Sequence, residues 1–488
     1  MGGLGRISYE RLGQLDRSFL LLETDCAHMH VAALQIFRPG SLMRADGSLD
    51  VDHLITYIHS RLHLIPRYRQ RIVTTPIEGH PAWIDDSTFN IRYHVRHSAL
   101  PRPGNAQQLK SLVGRLVSQQ LDRSKPLWEM WVIEGLADGR FAILSKTHHC
   151  MIDGMSGVDL MNVIMDVEPR VLEVDPPPWQ PRPEPSALEL MAGAIRQRLE
   201  LPGEILAAFG RRRGELVERA SALLRTLATS FQSASATPIN GPIGPYRRFS
   251  YCAMQIDEVK RIKRHFGGSL NDVVLAIVTG AVRRLLQSRR FRVEHLRFRV
   301  MAPVSTRSSD ERGALGNRVS SWFIDLPVEE RDPVRALAKI STITSRLKET
   351  NEALGAEVLT RVSEWTGSTL LNLGTQLAKN TLTFNTVVTN VPGPQMPLYL
   401  LGARMDEAYP VVPLFVNQGL GIALFSYDGR LQWGINGDWD LLPDIEAFTR
   451  YLMESFRELL TRVERPEGPA SVSDLHGRGN GRPERSSA

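Results

Sequence analysis

Two runs rich in β-branched and aromatic residues, Trp128–Leu136 and Phe141–Thr147, flank Ala137-Asp138-Gly139-Arg140. An Asp-Gly pair between such runs predicts a β-hairpin, because tight hairpin turns need residues that accept positive φ. The period then changes. Val158–Val167 (VDLMNVIMDV) predicts a helix, with Ser156 as its N-cap. His148–Gly154 therefore falls in a loop between a strand and a helix, where a rigid scaffold commonly holds reactive side chains.

Farther along, six prolines between about Val174 and Pro185 exclude a helix or a central strand and predict an extended linker. Residues 187–232 come next, rich in Ala, Leu, Glu and Arg, with Leu188, Met191, Ala192, Ile195 and Leu199 at helical spacing. One or two amphipathic helices are expected there, interrupted at Gly203 and Gly210 and carrying seven arginines, Arg211–Arg213 among them. The turn-rich stretch Thr237–Arg248 opens the second half of the chain. The chain thus divides into an N-terminal half (1–172), a linker with helical crossover (173–244), a C-terminal half (245–465) and a tail (466–488) expected to lack fixed structure. Both halves mix strand and helix patterns, so the class is α/β or α+β, and no short-period repeat is present.

Composition removes several alternatives. With 42% hydrophobic and 23% charged residues over 488 positions, the chain is globular and has material for more than one core. Three cysteines, Cys26, Cys150 and Cys252, exclude a disulfide scaffold and share no metal-type spacing. No run approaches the ~18 apolar residues of a spanning helix, Val273–Val282 being the longest candidate. The first residues lack the apolar core of a signal peptide. The net charge of +6 suits anionic substrates or a membrane surface, and no zinc-finger, RNP-like or Lys-rich motif points to nucleic acid.

The string that carries chemistry is His148-His149-Cys150-Met151-Ile152-Asp153-Gly154. Four fixed positions of the form HHxxxDG arise by chance on the order of 10⁻³ times per chain. A neutral imidazole accepts a proton near physiological pH, which suits a general base. Neighbours at a strand end point apart, so one histidine faces a cavity while the other packs. Asp153 would hold the loop's shape and Gly154 permits positive φ where the helix begins. Three other readings stay open on these residues alone: a metal site, which lacks a third ligand; a Cys150 nucleophile; and two structural histidines.

Other motifs accompany it. In chain order they are Leu15-Asp16 through Phe19-Leu20, Glu23 and Met29-His30-Val31; Pro66–Arg71 (PRYRQR); Pro126-Leu127-Trp128-Glu129; Leu270-Asn271-Asp272-Val273; Pro303–Arg307 (PVSTR); Leu315-Gly316-Asn317-Arg318; and Asn390–Pro394 (NVPGP). In order and spacing they resemble the bacterial wax ester synthase/acyl-CoA:diacylglycerol acyltransferase family, within the chloramphenicol acetyltransferase-like HHxxxDG superfamily. The resemblance runs to about residue 465. The DFGW-type signature of peptide-synthetase condensation domains is missing. Each motif also has a structural reading: Pro126–Trp128 as an edge strand packing an aromatic, Asn271 and Asp272 as a helix N-cap pair, NVPGP as a loop former, and Arg67, Arg69 and Arg71 as a solvated basic face.

The resemblance implies two acetyltransferase-like sandwich domains with an active-site tunnel between them. It implies O-acyl transfer from long-chain acyl-CoA to diacylglycerol, and to long-chain alcohols in wax ester synthesis. His149 would be the general base, with His148, Asp153 and Gly154 completing the motif. Asn271 or a backbone N–H would serve the oxyanion. Asp272, Pro126, Leu127 and Trp128 would give support, and Arg307 or one of Arg67, Arg69 and Arg71 would pair with Asp153. No cofactor or metal is expected, acyl-CoA being a substrate. An apolar acceptor implies a cytoplasmic enzyme that touches a membrane or lipid droplet peripherally, with the Arg-rich 187–232 stretch as the contact. The alternative is a carrier-bound acyl donor or another alcohol acceptor on the same fold.

Overall fold

The computed structural model describes residues 9–76, 79–151, 161, 163–169, 178–186, 189–190, 233–305, 319–354 and 382–464. A small sheet comes first, in the order β1 (Glu10–Arg11), β4 (Pro81–Asp85), β3 (Gln70–Thr74). The linker residues 178–186, in neither helix nor strand, lie against it. Arg182 pairs with Asp85, Glu184 with Arg71, and Trp179 lies under the Arg69 guanidinium.

The predicted hairpin is the centre of a six-stranded sheet. β6 (Trp128–Glu134) and β7 (Phe141–His148) pair antiparallel, with Trp128 opposite Thr147. The first strand stops at Glu134 because Gly135 takes φ 81°, and Gly139 turns the chain at φ 75°. β2 (His30–Arg38) flanks β7, placing His30 opposite His148, and β5 (Val95–Ala99) runs parallel to β6 at one edge. The other edge comes from far along the chain: β13 (Ala403–Val411) pairs with β2, and β12 (Tyr399–Leu400) with β13.

Alternation along β7 sorts the two faces of this sheet. Phe141 and Ile143 pack with Trp128, Met130 and Val132, against α2 (Val51–Arg61) through Leu54 and Ile58. Ala142 and Leu144 pack with Leu34, Ile36 and Ile133, against α4 (Ala106–Val117) through Leu109, Val113 and Leu116. A short helix, α3 (Ile91–His94), leads into β5. Both faces are covered, so the first half of β7, Phe141–Leu144, is apolar without a break.

The second six-stranded sheet has the order β10 (Val319–Leu326), β9 (Phe298–Ser305), β11 (Thr386–Pro392), β14 (Leu420–Tyr427), β15 (Arg430–Asp438), β8 (Arg247–Gln255). α5 (Ile256–Phe266), α6 (Leu270–Ser288), α7 (Pro333–Leu354) and α8 (Ile445–Glu464) share its core. The apolar run Val273–Val282 is buried within α6 as a core helix. No single helix among the described residues is long and apolar enough to cross a membrane.

The two sheet-and-helix units interlock. β13 crosses the second sheet so closely that a Cβ on Gly434 of β15 would fall inside the Pro410 carbonyl. The Ala408 N–H donates to the Gln432 side chain there. On the other side, α4 lies against β8, and a Cβ on Gly114 would come within 2.8 Å of the Arg247 carbonyl. The buried Arg247 guanidinium reaches Asp438 at 3.6 Å and donates to the Cys26 carbonyl of the N-terminal half.

Candidate active site

β7 ends at His148, and His149 opens a single 3-10 turn, His149–Met151. The change of backbone at this junction sends the two rings different ways. Backbone bonds clamp the junction on both sides. The His148 N–H donates to the Leu127 carbonyl at 2.9 Å, and the His149 N–H to the Met29 carbonyl at 2.8 Å.

His148 is fully enclosed. Its Nδ1 accepts from the Cys150 backbone N–H at 3.2 Å, and the Cys150 Sγ lies 3.0 Å away. A backbone N–H can only donate, so the ring proton sits on Nε2. That nitrogen faces Glu23 Oε2 at 3.5 Å, with Glu23 and His148 side chains 2% and 1% exposed. Burial works to raise the Glu23 carboxyl, but His148 and Arg123 beside it outweigh this and hold it at about 2. Arg123 Nε donates to the same carboxylate at 3.0 Å.

His149 is different. α1 (Gln14–Leu22) lies against the turn, and its Phe19 ring stacks on the His149 ring at 3.8 Å between centroids. Its Nδ1 is buried and makes no hydrogen bond. Burial, opposed by its own backbone, pushes His149 down to about 4. The ring is therefore a free base at neutral pH. Around Phe19 a small apolar cluster gathers side chains from both halves. Leu22 and Met29 come from one, Leu414, Phe415 and Val416 from the other, and Ile243 from the segment that joins them.

The Cys150 thiol is 0% exposed, and burial with the nearby Asp16 and Glu23 charges pushes its pKa well up. A thiol kept protonated and walled in is a poor nucleophile. Among the described residues, no group of three or more His, Cys, Asp or Glu could hold a metal ion.

Pro126, Leu127 and Trp128 stand behind the histidines. Trp128 opens β6, which is an inner strand and not an edge, its place fixed by β7 on one side and β5 on the other. The Trp128 Nε1 donates to the Tyr68 carbonyl at 2.9 Å, and His94 stacks on the indole at 4.6 Å. Tyr68 in turn shares a 3.0 Å hydrogen bond with Thr147, one residue before His148. The arginines of the basic stretch are engaged. Arg67 reaches Glu10 and lies over Trp83, Arg69 is buried over the Trp179 ring, and Arg71 pairs with Glu184.

The N-cap of α6 is Ser269, and Asp272 closes a reciprocal capping box with it. The Asp272 carboxylate also accepts from Thr344 at 2.7 Å, so its oxygens serve the helix end and a neighbouring helix. Asn271 is exposed and its Oδ1 accepts from Asn390 of the NVPGP turn at 2.8 Å. Among the described residues, no hydrogen bond joins Asn271 to either histidine. Asp153, Gly154, Arg307, the Leu315–Arg318 motif, Ser156, residues 158–160 and 162 of the expected Val158–Val167 helix, the 187–232 crossover except Glu189 and Leu190, and the 466–488 tail lie outside the described residues.

Sequence reasoning does not find Arg123 at all, and it sees Phe19, Glu23 and Met29 as motif members with no place at the site. Membership in the opening motif is the one available signal, since Glu23 and His148 are 125 positions apart.

Comparisons with known proteins give the family. The wax ester synthase/diacylglycerol acyltransferase catalytic domain model matches residues 12–274, and the corresponding C-terminal domain model matches 315–460. A putative diacylglycerol O-acyltransferase of Mycobacterium tuberculosis is 32% identical, covering 95% of this chain and 93% of its own. The probable diacylglycerol O-acyltransferase tgs1 of the same species is also 32% identical, over 94% of this chain and 99% of its own. Among solved structures, the wax ester synthase/diacylglycerol acyltransferase from Marinobacter aquaeolei VT8 superposes with a TM-score of 0.68 at 25% identity, over 93% of this chain and all of that one. A trichothecene 15-O-acetyltransferase from Fusarium sporotrichioides shares the fold, with a TM-score of 0.60 at 13% identity over 94% of this chain and 96% of that one. With both domain models in register and a paired-histidine turn where the two halves meet, the chain belongs to the wax ester synthase/diacylglycerol acyltransferase family and is an acyltransferase.

Proposed function

We propose that this acyltransferase moves a long-chain fatty acyl group from acyl-CoA to diacylglycerol, forming triacylglycerol, and accepts long-chain alcohols to form wax esters. His149 is the general base. The observation that carries the reading is the state of that ring: a free base at neutral pH, Nδ1 without a partner, stacked on Phe19 among apolar side chains of both halves. An apolar acceptor finds matching surface there, and its hydroxyl finds a base.

In this reaction His149 takes the hydroxyl proton as the acceptor oxygen attacks the thioester carbonyl. A C–O bond forms, the C–S bond breaks, and the imidazolium returns the proton to the leaving CoA thiolate. A ring held near 4 takes a proton reluctantly in the resting enzyme. The negative charge that grows on the thioester oxygen beside it offsets this in the transition state, when it matters. The Asn271 amide, or a backbone N–H, is the proposed donor to that oxygen. Asp153 and Gly154 shape the loop, and Arg307 is the proposed partner of Asp153. The thioester is already activated, so the chemistry asks for no cofactor and no covalent enzyme intermediate.

Diacylglycerol stands first because the mycobacterial relatives carry that acceptor in their names. An acceptor of this kind sits in a membrane or lipid droplet. We place the enzyme on the cytoplasmic side, in peripheral contact with such a surface through the Arg-rich 187–232 stretch.

The test supplies purified protein with labelled palmitoyl-CoA and, in parallel, dioleoylglycerol or hexadecanol. Wild type should form triacylglycerol and some wax ester. His149→Ala should lose on the order of 10²-fold or more, the scale of a lost general base. Equal activity in both proteins removes His149 from the role. Failure with either alcohol moves the donor or acceptor to another class.

A further inference from the structure

Acyl transfer through His149 leaves unexplained why its neighbour should be locked so firmly. Three polar groups of His148 have fixed neighbours. The backbone N–H goes to Leu127, Nδ1 accepts from Cys150 two residues on, and Nε2, which closes no hydrogen bond, lies 3.5 Å from Glu23 Oε2. Glu23 is the C-cap of α1, its N–H bonded to the Phe19 carbonyl. One turn of α1 therefore touches both histidines: Phe19 lies on the His149 ring and Glu23 faces the His148 ring.

We propose that Glu23 is a positioning residue for the acyl transfer: its carboxylate selects the Nε2–H tautomer of His148, and this sets the turn that presents His149. The inference rests on His149 being the base. The chain of cause is short. An imidazole has one proton to place. With an acceptor at Nε2, Nδ1 is left as the lone pair that the Cys150 N–H needs. That bond closes the His149–Met151 turn. Without the carboxylate, Nδ1 can carry the proton instead, and two donors then face each other inside a buried turn, which opens it. Arg123 holds the carboxylate ionised and in place, and the charges around it keep it so well below the usual carboxylate range. The arrangement parallels the general rule that a partner on one imidazole nitrogen decides what the other can do.

The variants are Glu23→Leu and Glu23→Gln, with His149→Ala alongside. Glu23→Leu should lower kcat at least tenfold with KM for acyl-CoA and diacylglycerol unchanged within about twofold, while Glu23→Gln, which retains an acceptor oxygen, recovers most of it. The tautomer itself is read by ¹⁵N-imidazole NMR, with His148 assigned through a His148→Asn variant. Wild type and Glu23→Gln should show Nε2–H, and Glu23→Leu a mixture or Nδ1–H. Full kcat in Glu23→Leu, or an unchanged His148 tautomer in it, overturns the proposal. If Glu23→Leu fails to fold, Glu23→Gln carries the test, because a tautomer moved off Nε2 there overturns the proposal equally. Activity surviving in His149→Ala sinks the base assignment instead, and the nitrogen spectrum still reports separately on Glu23.

Discussion

The Leu127 carbonyl receives the backbone N–H of His148 at 2.9 Å, tying the Pro-Leu-Trp segment directly to the paired histidines. Behind that bond, Trp128 is 1% exposed and donates its indole N–H to Tyr68. Trp128→Phe keeps most of the volume and leaves the Tyr68 carbonyl without its donor. It should cost about 1–3 kcal/mol in denaturant unfolding, and Trp128→Ala about 3–5. Unfolding curves indistinguishable from wild type would refute the support role.

Cys150 sits between the histidine ring and the core with its thiol held protonated. Its backbone N–H, not its sulfur, makes the bond that shapes the turn. Cys150→Ala keeps that N–H, so activity should stay within a few fold of wild type. A thiol reagent that spares the fold should leave turnover intact. A loss of activity comparable to that of His149→Ala would restore the nucleophile.

The rate profile should extend unusually far into acid. Since His149 titrates at about 4, its base form persists well below the ordinary histidine value of 6.5. The acid limb of kcat/KM should fall nearer pH 4 than 6.5 wherever the protein remains folded. An acid limb centred at 6.5 would mean that the working base is in another environment.

Stability should fall in acid in two stages. The folded-state value of His149 lies below its unfolded value of 6.5, so the unfolded chain binds the extra proton and stability declines as pH drops from 6.5 towards 4. His28, His30 and His94, also lowered chiefly by burial, act in the same direction. Glu23 lies low at about 2 against 4.5 unfolded, so its contribution is present above 4.5 and lost as pH falls towards 2. Tm measured against pH should therefore be flatter between 6.5 and 4 for His149→Gln, and flatter below 4.5 for Glu23→Gln. Curves parallel to wild type throughout would contradict both assignments.

Gly434 is the point where the crossing strand β13 presses on β15. The obstructing atom belongs to the Pro410 backbone, which cannot rotate away. Gly434→Ala should destabilise by more than the ~1–3 kcal/mol usual for an overpacked core, and soluble yield should drop. Ala tolerated there with wild-type Tm would show that the halves are less tightly joined.

Local pattern alone settles a good deal of this protein. The hairpin around Asp138-Gly139 and the strand end that carries His148-His149 are written in spacing and turn chemistry, because each depends on a residue and its near neighbours. The α6 cap is within reach too: Ser269-Leu270-Asn271-Asp272 has the spacing of a capping box, although the Asn271-Asp272 motif draws the cap two residues late. What only the tertiary structure decided is who meets whom. Nothing in residues 399–411 says that they join the first sheet, since their alternation reports that a face is buried and not which strand lies beside it. Glu23 and Arg123 carry no periodic signal, and their charges read as ordinary surface until α1 and the 123–128 segment fold onto His148. The depressed value of His149 likewise exists only after Phe19 and its neighbours close around the ring, because desolvation is a property of the assembled site and not of the residue.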